Sequence, residues 1–259
     1  MLTLHPIPAF TDNYIWCLHD NQNAYVVDPG QADPVQDYLL DRGLILKGIL
    51  ITHHHWDHVS GIEALSQSYP GIHVWGPAKE TIPGRTVALV EGDSVQLNWD
   101  LEFGVLEVPG HTLGHIAYYA PTSPFGPLLF CGDTLFSSGC GRLFEGTPEQ
   151  MHHSLSKLVA LPPDTIVCCT HEYTTANLAF AVAVEPDNAD IQERVSAVAK
   201  LRDQNLPSLP SSIGLEMKVN PFLRVTESTV LESLQKNCGK RPDNEVASFA
   251  TLRQWKDNF

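Results

Sequence analysis

Apolar positions along the first two-thirds of the chain come mostly in short runs broken by turn residues, the mark of a β-rich fold. Residues 2–8 read as an edge strand. Residues 12–17 and 24–30 read as two strands of a meander, the second closed by a turn at Asp28-Pro29-Gly30. In that turn Asp28 is expected to hydrogen-bond its own backbone. Residues 35–42 form a short helix stopped by Gly43. Residues 47–52 are a strand, 58–69 a helix with Ile62 and Leu65 on one face, and 72–75 another strand. A hairpin is expected in residues 87–97 around Glu91-Gly92-Asp93. Residues 101–108 alternate apolar and polar for part of their length, as a half-buried strand does. Residues 127–130 and 165–170 are further strands. Between them Thr147-Pro148-Glu149-Gln150 starts a helix, with Thr as cap, Pro first and Gln three after the cap. Met151, Leu155, Leu158 and Val159 then face inward, and His152 and His153 lie on the surface.

After Tyr173 the pattern becomes helical. Residues 174–184 are a small-residue helix. Asn188 caps a second helix reaching about residue 203, with Ile191, Val195, Val198 and Leu201 at helical spacing. Residues 206–212 are a Pro/Ser-rich loop, and 227–235 and 244–256 are the final helices. No strand is expected here. The chain is therefore α+β, with a β-rich domain over 1–173 and a small α-helical domain over 174–259.

With 259 residues and 43% hydrophobic content, a sizeable core is available. The net charge of −14 argues against nucleic acid as a partner, because such binding rests on Lys and Arg neutralising phosphates. No apolar run is long enough to span a membrane, and Met-Leu-Thr-Leu-His-Pro is no export leader. None of the six cysteines forms Cys-x-x-Cys, so a reduced, cytoplasmic protein is expected, and a monomer.

The chemistry gathers where strands end. The run at 47–52 stops in His53-His54-His55-Trp56-Asp57-His58, four histidines and an aspartate within six residues. Imidazole nitrogens and carboxylate oxygens suit zinc, and also iron and manganese. In an extended segment His53 and His55 point the same way, while Asp57 and His58 come from the next turn. One loop can thus serve two metals. A lone histidine would be an ordinary polar loop residue; this cluster directly after a strand favours ligands. Three more strands end in Pro109-Gly110-His111-Thr112-Leu113-Gly114-His115, in Cys131-Gly132-Asp133-Thr134 and in Thr170-His171-Glu172-Tyr173. Strand ends converging on one edge fit a sandwich of two mixed sheets flanked by helices.

Thr-His-x-His-x-Asp-His resembles the signature loop of the metallo-β-lactamase superfamily. Pro-Gly-His-Thr-x-Gly-His, together with Asn220-Pro221-Phe222-Leu223-Arg224, narrows the likeness to the glyoxalase II (hydroxyacylglutathione hydrolase) family, and it runs from near the N-terminus to Phe259. The resemblance implies a four-layer αβ/βα sandwich with an α-helical C-terminal domain. It implies two divalent metal ions, zinc first: one on His53, His55 and His111, the other on Asp57, His58 and His171, with Asp133 bridging both. His115 receives no ligand role and is expected to be a packed histidine. Two such ions lower the pKa of a water from 15.7 toward about 7. Asp57 and Asp133 are the catalytic carboxylates, Asp57 also orienting the attacking water.

The implied activity is hydrolysis of S-(2-hydroxyacyl)glutathione, chiefly S-D-lactoylglutathione, to glutathione and D-lactate, the second step of methylglyoxal detoxification. Arg142, Tyr173, Arg253 and Lys256 would bind the glutathione part. Arg253 and Lys256 are three apart on the last predicted helix, hence on one face; without the resemblance they read as cations placed by the helix dipole. Arg142 stands where relatives often have Lys, and Phe144 where some have Tyr. The alternatives are another metallo-β-lactamase-fold hydrolase, a persulfide dioxygenase, or a protein whose metal is structural. Structural zinc sites are closed and Cys-rich, unlike this ligand set.

Overall fold

The computed structural model describes residues 1–239 and 241–259. The first sheet is mixed, with six strands in chain order: β1 (Thr3–Ala9), β2 (Asn13–His19), β3 (Asn23–Val27), β4 (Ile45–Leu50), β5 (His73–Pro77) and β6 (Val87–Leu89). The first three pair antiparallel, and β3 to β6 run parallel. β2 is buried at all seven positions, so it carries no alternation to read from sequence. The helix α1 (Asp33–Arg42) crosses between β3 and β4, and Gly43 ends it at φ 64°, the left-handed cap that glycine adopts without strain. Two further helices, α2 (Trp56–Val59) and α3 (Ile62–Ser68), follow β4. Val35, Leu39, Ile62 and Leu65 pack with Ile15, Val26 and Ile49 of the sheet into one core.

The second sheet is ordered β14-β13-β10-β9-β8-β7. Its strands are β7 (Ser94–Gln96), β8 (Glu102–Glu107), β9 (Ile116–Ala120), β10 (Leu128–Gly132), β13 (Ile166–Cys169) and β14 (Ser211–Ser212). A two-stranded hairpin, β11 (Leu135–Phe136) with β12 (Gly139–Cys140), follows β10. The sheets are tied by polar side chains. The Tyr118 hydroxyl donates to Ile51 O at 2.8 Å, and Trp16 Nε1 donates to Cys169 O at 2.9 Å. A buried Tyr or Trp must place its one polar hydrogen, and here each places it across the sandwich.

Helix α4 (Pro148–Val159) has the expected capping box between Thr147 and Gln150. Then come α5 (Thr174–Val184), α6 (Ala189–Arg202), α7 (Ile213–Val219), a 3-10 turn at Pro221–Leu223, α8 (Ser228–Cys238) and α9 (Glu245–Asp257). Asn188 caps α6 as expected, accepting from Asp190 N and Ile191 N. Leu178, Ala181, Ile191, Val198 and Val219 bring α5, α6 and α7 into one core. By contact density the chain forms two compact units. The first comprises Met1–Glu107, Leu113–Gly132 and Cys168–His171; the second comprises Val108–Thr112, Asp133–Val167 and Glu172–Phe259.

Several expectations need correction. Glu91-Gly92-Asp93 does not close a hairpin: β6 pairs with β5 and β7 with β8, so the turn carries the chain from one sheet to the other. The single helix over 58–69 is two, broken at Gly61. A Cβ on Gly61 would lie 2.4 Å from Pro29 O, which its N–H donates to at 2.9 Å. The C-terminal region does hold a strand, β14, whose Ser212 and Ser211 pair with Ile166 and Val167. His152 is only 17% exposed in its side chain and packs against Phe249 of α9.

Candidate metal centre

In the first unit β4 delivers the histidine loop. Thr52 and His53 are fully buried, and Gly30 lies so close beneath that a Cβ there would meet Asp57 O at 1.8 Å. The carboxylate Oδ2 of Asp57 lies 3.4 Å from His58 Nε2 and 3.5 Å from His171 Nε2. The ligand atoms of these three residues all fall within 4.8 Å of one another. Asn13 Nδ2 donates to the same Oδ2 at 3.1 Å. The rings of His53 and His55 are 4.7 Å apart. His115 is buried and stacks on His53 at 4.6 Å, a packed histidine as expected.

The protons on these imidazoles follow from their neighbours. His171 Nδ1 lies 2.7 Å from Asp12 Oδ1, so it donates there and its lone pair sits on Nε2. Asp28 does not bond its own backbone, as its turn position suggested. Its Oδ1 accepts from Thr52 N at 2.8 Å and its Oδ2 from Thr52 Oγ1 at 2.6 Å. That uses the single hydroxyl hydrogen of Thr52. His53 Nδ1, 3.1 Å from Thr52 Oγ1, must then be the donor. His58 Nδ1 faces Asp28 Oδ2 at 3.2 Å. One buried carboxylate therefore sets both rings with the lone pair on Nε2. Asp28, His53 and His58 also form a tight group, but with both oxygens of Asp28 engaged by Thr52 it is a support rather than a ligand.

In the second unit His111 repeats the arrangement. Its Nδ1 donates to Arg142 O at 2.8 Å, and its Nε2 lies 3.4 Å from Asp133 Oδ2. The Arg142 side chain is 64% exposed, with Nε 3.6 Å from Asp257. Arg253 is buried: Nη1 donates to Cys140 O at 2.9 Å, and Nη2 lies 2.9 Å from Asp257 Oδ1. Lys256 Nζ donates to Ala176 O at 3.0 Å, and burial, with Arg253 and Arg142 nearby, lowers its pKa. Tyr173 caps α5 half-exposed, its ring edge against Phe136. The exposed Phe144 edges the His111 ring at 5.3 Å. Burial pushes the Cys17 thiol up to about 12 and the Cys140 thiol to about 11, so both pack as neutral thiols.

Imidazoles fixed through Nδ1, with carboxylates beside the Nε2 atoms of His58, His111 and His171, are the donor set of a divalent metal site, and the residues present fit one. Residues 10–171 match the profile of the metallo-beta-lactamase superfamily, and residues 172–259 match that of the hydroxyacylglutathione hydrolase C-terminus. The chain is 52% identical over 262 residues to a hydroxyacylglutathione hydrolase of Pseudomonas aeruginosa, with the whole of both chains covered. The chain belongs to the hydroxyacylglutathione hydrolase family. Relatives of that name from Cupriavidus taiwanensis (53% over 266 residues) and Aliivibrio salmonicida (52% over 260) are likewise covered in full. Among solved structures, ETHE1 from Myxococcus xanthus aligns with a TM-score of 0.64 at 23% identity, covering 99% of each chain. The BLEG-1 B3 metallo-beta-lactamase aligns at 0.63 and 24%, covering 86% of this chain and 99% of its own. At that identity they show the fold alone, the α+β metallo-β-lactamase sandwich.

The supports Asp12, Asn13, Asp28 and Thr52 escaped the sequence reading of this family member. Asp28 did carry a signal. It is an acid at a strand end, as Asp133 is, but its Pro-Gly neighbours gave it an ordinary turn role.

Proposed function

We propose that this chain hydrolyses S-(2-hydroxyacyl)glutathione, S-D-lactoylglutathione first among them, to glutathione and a 2-hydroxy acid, as the second step of methylglyoxal detoxification in the cytoplasm. The observation that carries the reading is the Asp57, His58 and His171 cluster, ligand atoms within 4.8 Å, beside imidazoles held through Nδ1. His53, His55 and His111 would hold one divalent ion and Asp57, His58 and His171 the other, with Asp133 available to both. Zinc suits this set first, with iron or manganese as further fits. When bound, the ions supply water ionised at neutral pH and charge stabilisation at the carbonyl oxygen. Asp57 orients the attacking water. Water adds to the thioester carbonyl, the carbon–sulfur bond breaks, and glutathione leaves as thiolate. Arg142, Tyr173, Arg253 and Lys256 hold the glutathione part, Arg142 being an exposed cation and Arg253 a buried one. The reading assigns residues 1–173 to the hydrolytic domain and 174–259 to the substrate-binding domain, in a monomer. Among the described residues no helix is long and apolar enough to cross a membrane.

The test is the loss of thioester absorbance of S-D-lactoylglutathione, before and after chelation, with metal content measured on the same sample. Rapid, chelator-sensitive turnover with about two ions per chain is expected. No turnover with both ions bound would end the substrate assignment.

A further inference from the structure

Glu216 is a carboxylate with no place in the chemistry above, yet it is fully buried. It sits on α7, a seven-residue helix, and its side chain is met by donors. Ser138 N donates to its Oε2 at 2.6 Å and Asn220 Nδ2 donates to the same oxygen at 3.2 Å, while the Ser211 hydroxyl donates to Oε1. Burial pushes the carboxyl above its usual range, and these donors pull it back. Removing a carboxylate from water is costly, and apolar side chains would fill the same space at less expense. Packing alone does not account for it.

Its partners point to the role. Asn220, one turn on from Glu216, also donates to Phe136 O at 3.1 Å and to Gly139 O at 2.9 Å. Phe136, Ser138 and Gly139 are the β11–β12 hairpin and its tip. Ser138 is in the left-handed region at φ 56° without being glycine, a conformation that its surroundings must enforce. From this tip one strand leads back to Asp133 and the other forward through Gly141 to Arg142. A Cβ on Gly141 would fall 2.0 Å from Asp133 O, so the two arms touch backbone to backbone. The Arg142 carbonyl in turn holds His111 Nδ1.

We propose that Glu216, acting with Asn220, is a positioning residue that fixes the hairpin and thereby places Arg142 to receive the glutathione part of the substrate. This rests on the hydrolase reading above. A shift of the tip passes along β12 to Arg142, and misplacement of a binding group by about 1 Å costs up to about 100-fold.

The experiment compares Glu216→Ala, Glu216→Asp and Glu216→Gln with the unaltered metal-loaded protein. KM and kcat are measured on S-D-lactoylglutathione, and glutathione binding is measured by calorimetry. Glu216→Ala, assayed with both ions supplied in excess, should raise KM about tenfold or more, weaken glutathione by a similar factor, and keep its cooperative melting. Glu216→Asp, which shortens the reach but keeps the charge, should shift both in the same direction by less, and carries the test if the alanine variant does not fold. Glu216→Gln should stay within about twofold, because its amide oxygen still accepts from Ser138 and Asn220 while its NH2 donates to Ser211 Oγ. A merely structural Glu216 would lower active protein without moving KM or glutathione affinity; that result in the alanine and aspartate variants overturns the proposal, as does a glutamine variant as impaired as alanine. If the unaltered protein neither turns over the thioester nor binds glutathione, the hydrolase reading itself falls, and this inference with it.

Discussion

Replacing Asp28 by asparagine should reverse the protons on two imidazoles at once. Asp28 sits at φ 52°, a conformation asparagine also tolerates, so the backbone need not move. The amide oxygen takes the place of Oδ1 and keeps the bond from Thr52 N. The NH2 then stands where Oδ2 accepted from Thr52 Oγ1 at 2.6 Å and faced His58 Nδ1 at 3.2 Å. It now donates to both. The Thr52 hydroxyl is released to donate to His53 Nδ1, 3.1 Å away, and each ring moves its proton to Nε2, the proposed ligand atom. A disturbed ligand support costs about 10- to 100-fold in metal affinity. Two rings reversed together make about 100-fold, near 2.7 kcal/mol, the smallest loss expected. Stability without metal should fall by about 1–3 kcal/mol, since both protons now sit on the buried Nε2 atoms of His53 and His58. The opposite amide orientation would set NH2 against the buried Thr52 N–H, costing about 1–3 kcal/mol of stability while sparing metal affinity. Competition against a chromophoric chelator separates the two, and urea unfolding of the metal-free proteins reads the stability cost. Asparagine with unchanged affinity and unchanged stability would refute the assignment of both tautomers to Asp28.

Other outcomes are as definite. Gly141→Ala should abolish activity and leave little folded protein, because its Cβ meets the Asp133 carbonyl at 2.0 Å, and a backbone atom cannot rotate away; near-native melting and turnover would contradict the close apposition. Thr147→Ala removes the half of the α4 capping box in which Thr147 Oγ1 accepts from Gln150 N, leaves the backbone N–H of residue 147 on Gln150 Oε1, and should cost about 1 kcal/mol in urea unfolding, with KM unchanged. The backbone N–H groups of Asn23 and Gln22 and the Trp99 indole hold the Asp20 carboxyl at about 2, below its ordinary value of 3.8. The folded state thus binds this proton less tightly than the unfolded chain, and the stability gained is present above pH 3.8 and lost as pH falls toward 2. The gap between the unaltered protein and Asp20→Asn should therefore narrow steadily from pH 5 to pH 3.

Features specified by neighbouring residues were legible in the sequence. Gly43, Thr147 and Asn188 end or start helices through bonds spanning a few residues, and each does so in the structure. The histidine loop was legible for the same reason, its spacing being contained in one turn of chain. Features that depend on distant partners were not. Glu91-Gly92-Asp93 has the chemistry of a hairpin turn, but which strand each arm joins is decided by sheets assembled elsewhere. Ser60-Gly61 breaks a helical pattern because Pro29, far back in the chain, occupies the space. Helix α7 is short, opens with a glycine after its first residue and buries a carboxylate, so neither propensity nor pattern announces it. Asp28 belongs here too, since its partners Thr52 and His58 lie one crossover away.

The anchoring of His53, His58, His111 and His171 through Nδ1 bears on any attempt to transplant these rings. Copying the seven proposed ligand side chains onto another scaffold would carry over the shapes of the ligands and leave behind what tells them how to hold their protons. His171 takes its instruction from Asp12, His53 from Asp28 by way of Thr52, His58 from Asp28 directly, and His111 from the backbone of Arg142. None of these donors of instruction is a chelating residue, and they are scattered through the chain. The portable unit is the ring together with its anchor, and a graft that moved only the rings would capture metal in a mixture of geometries.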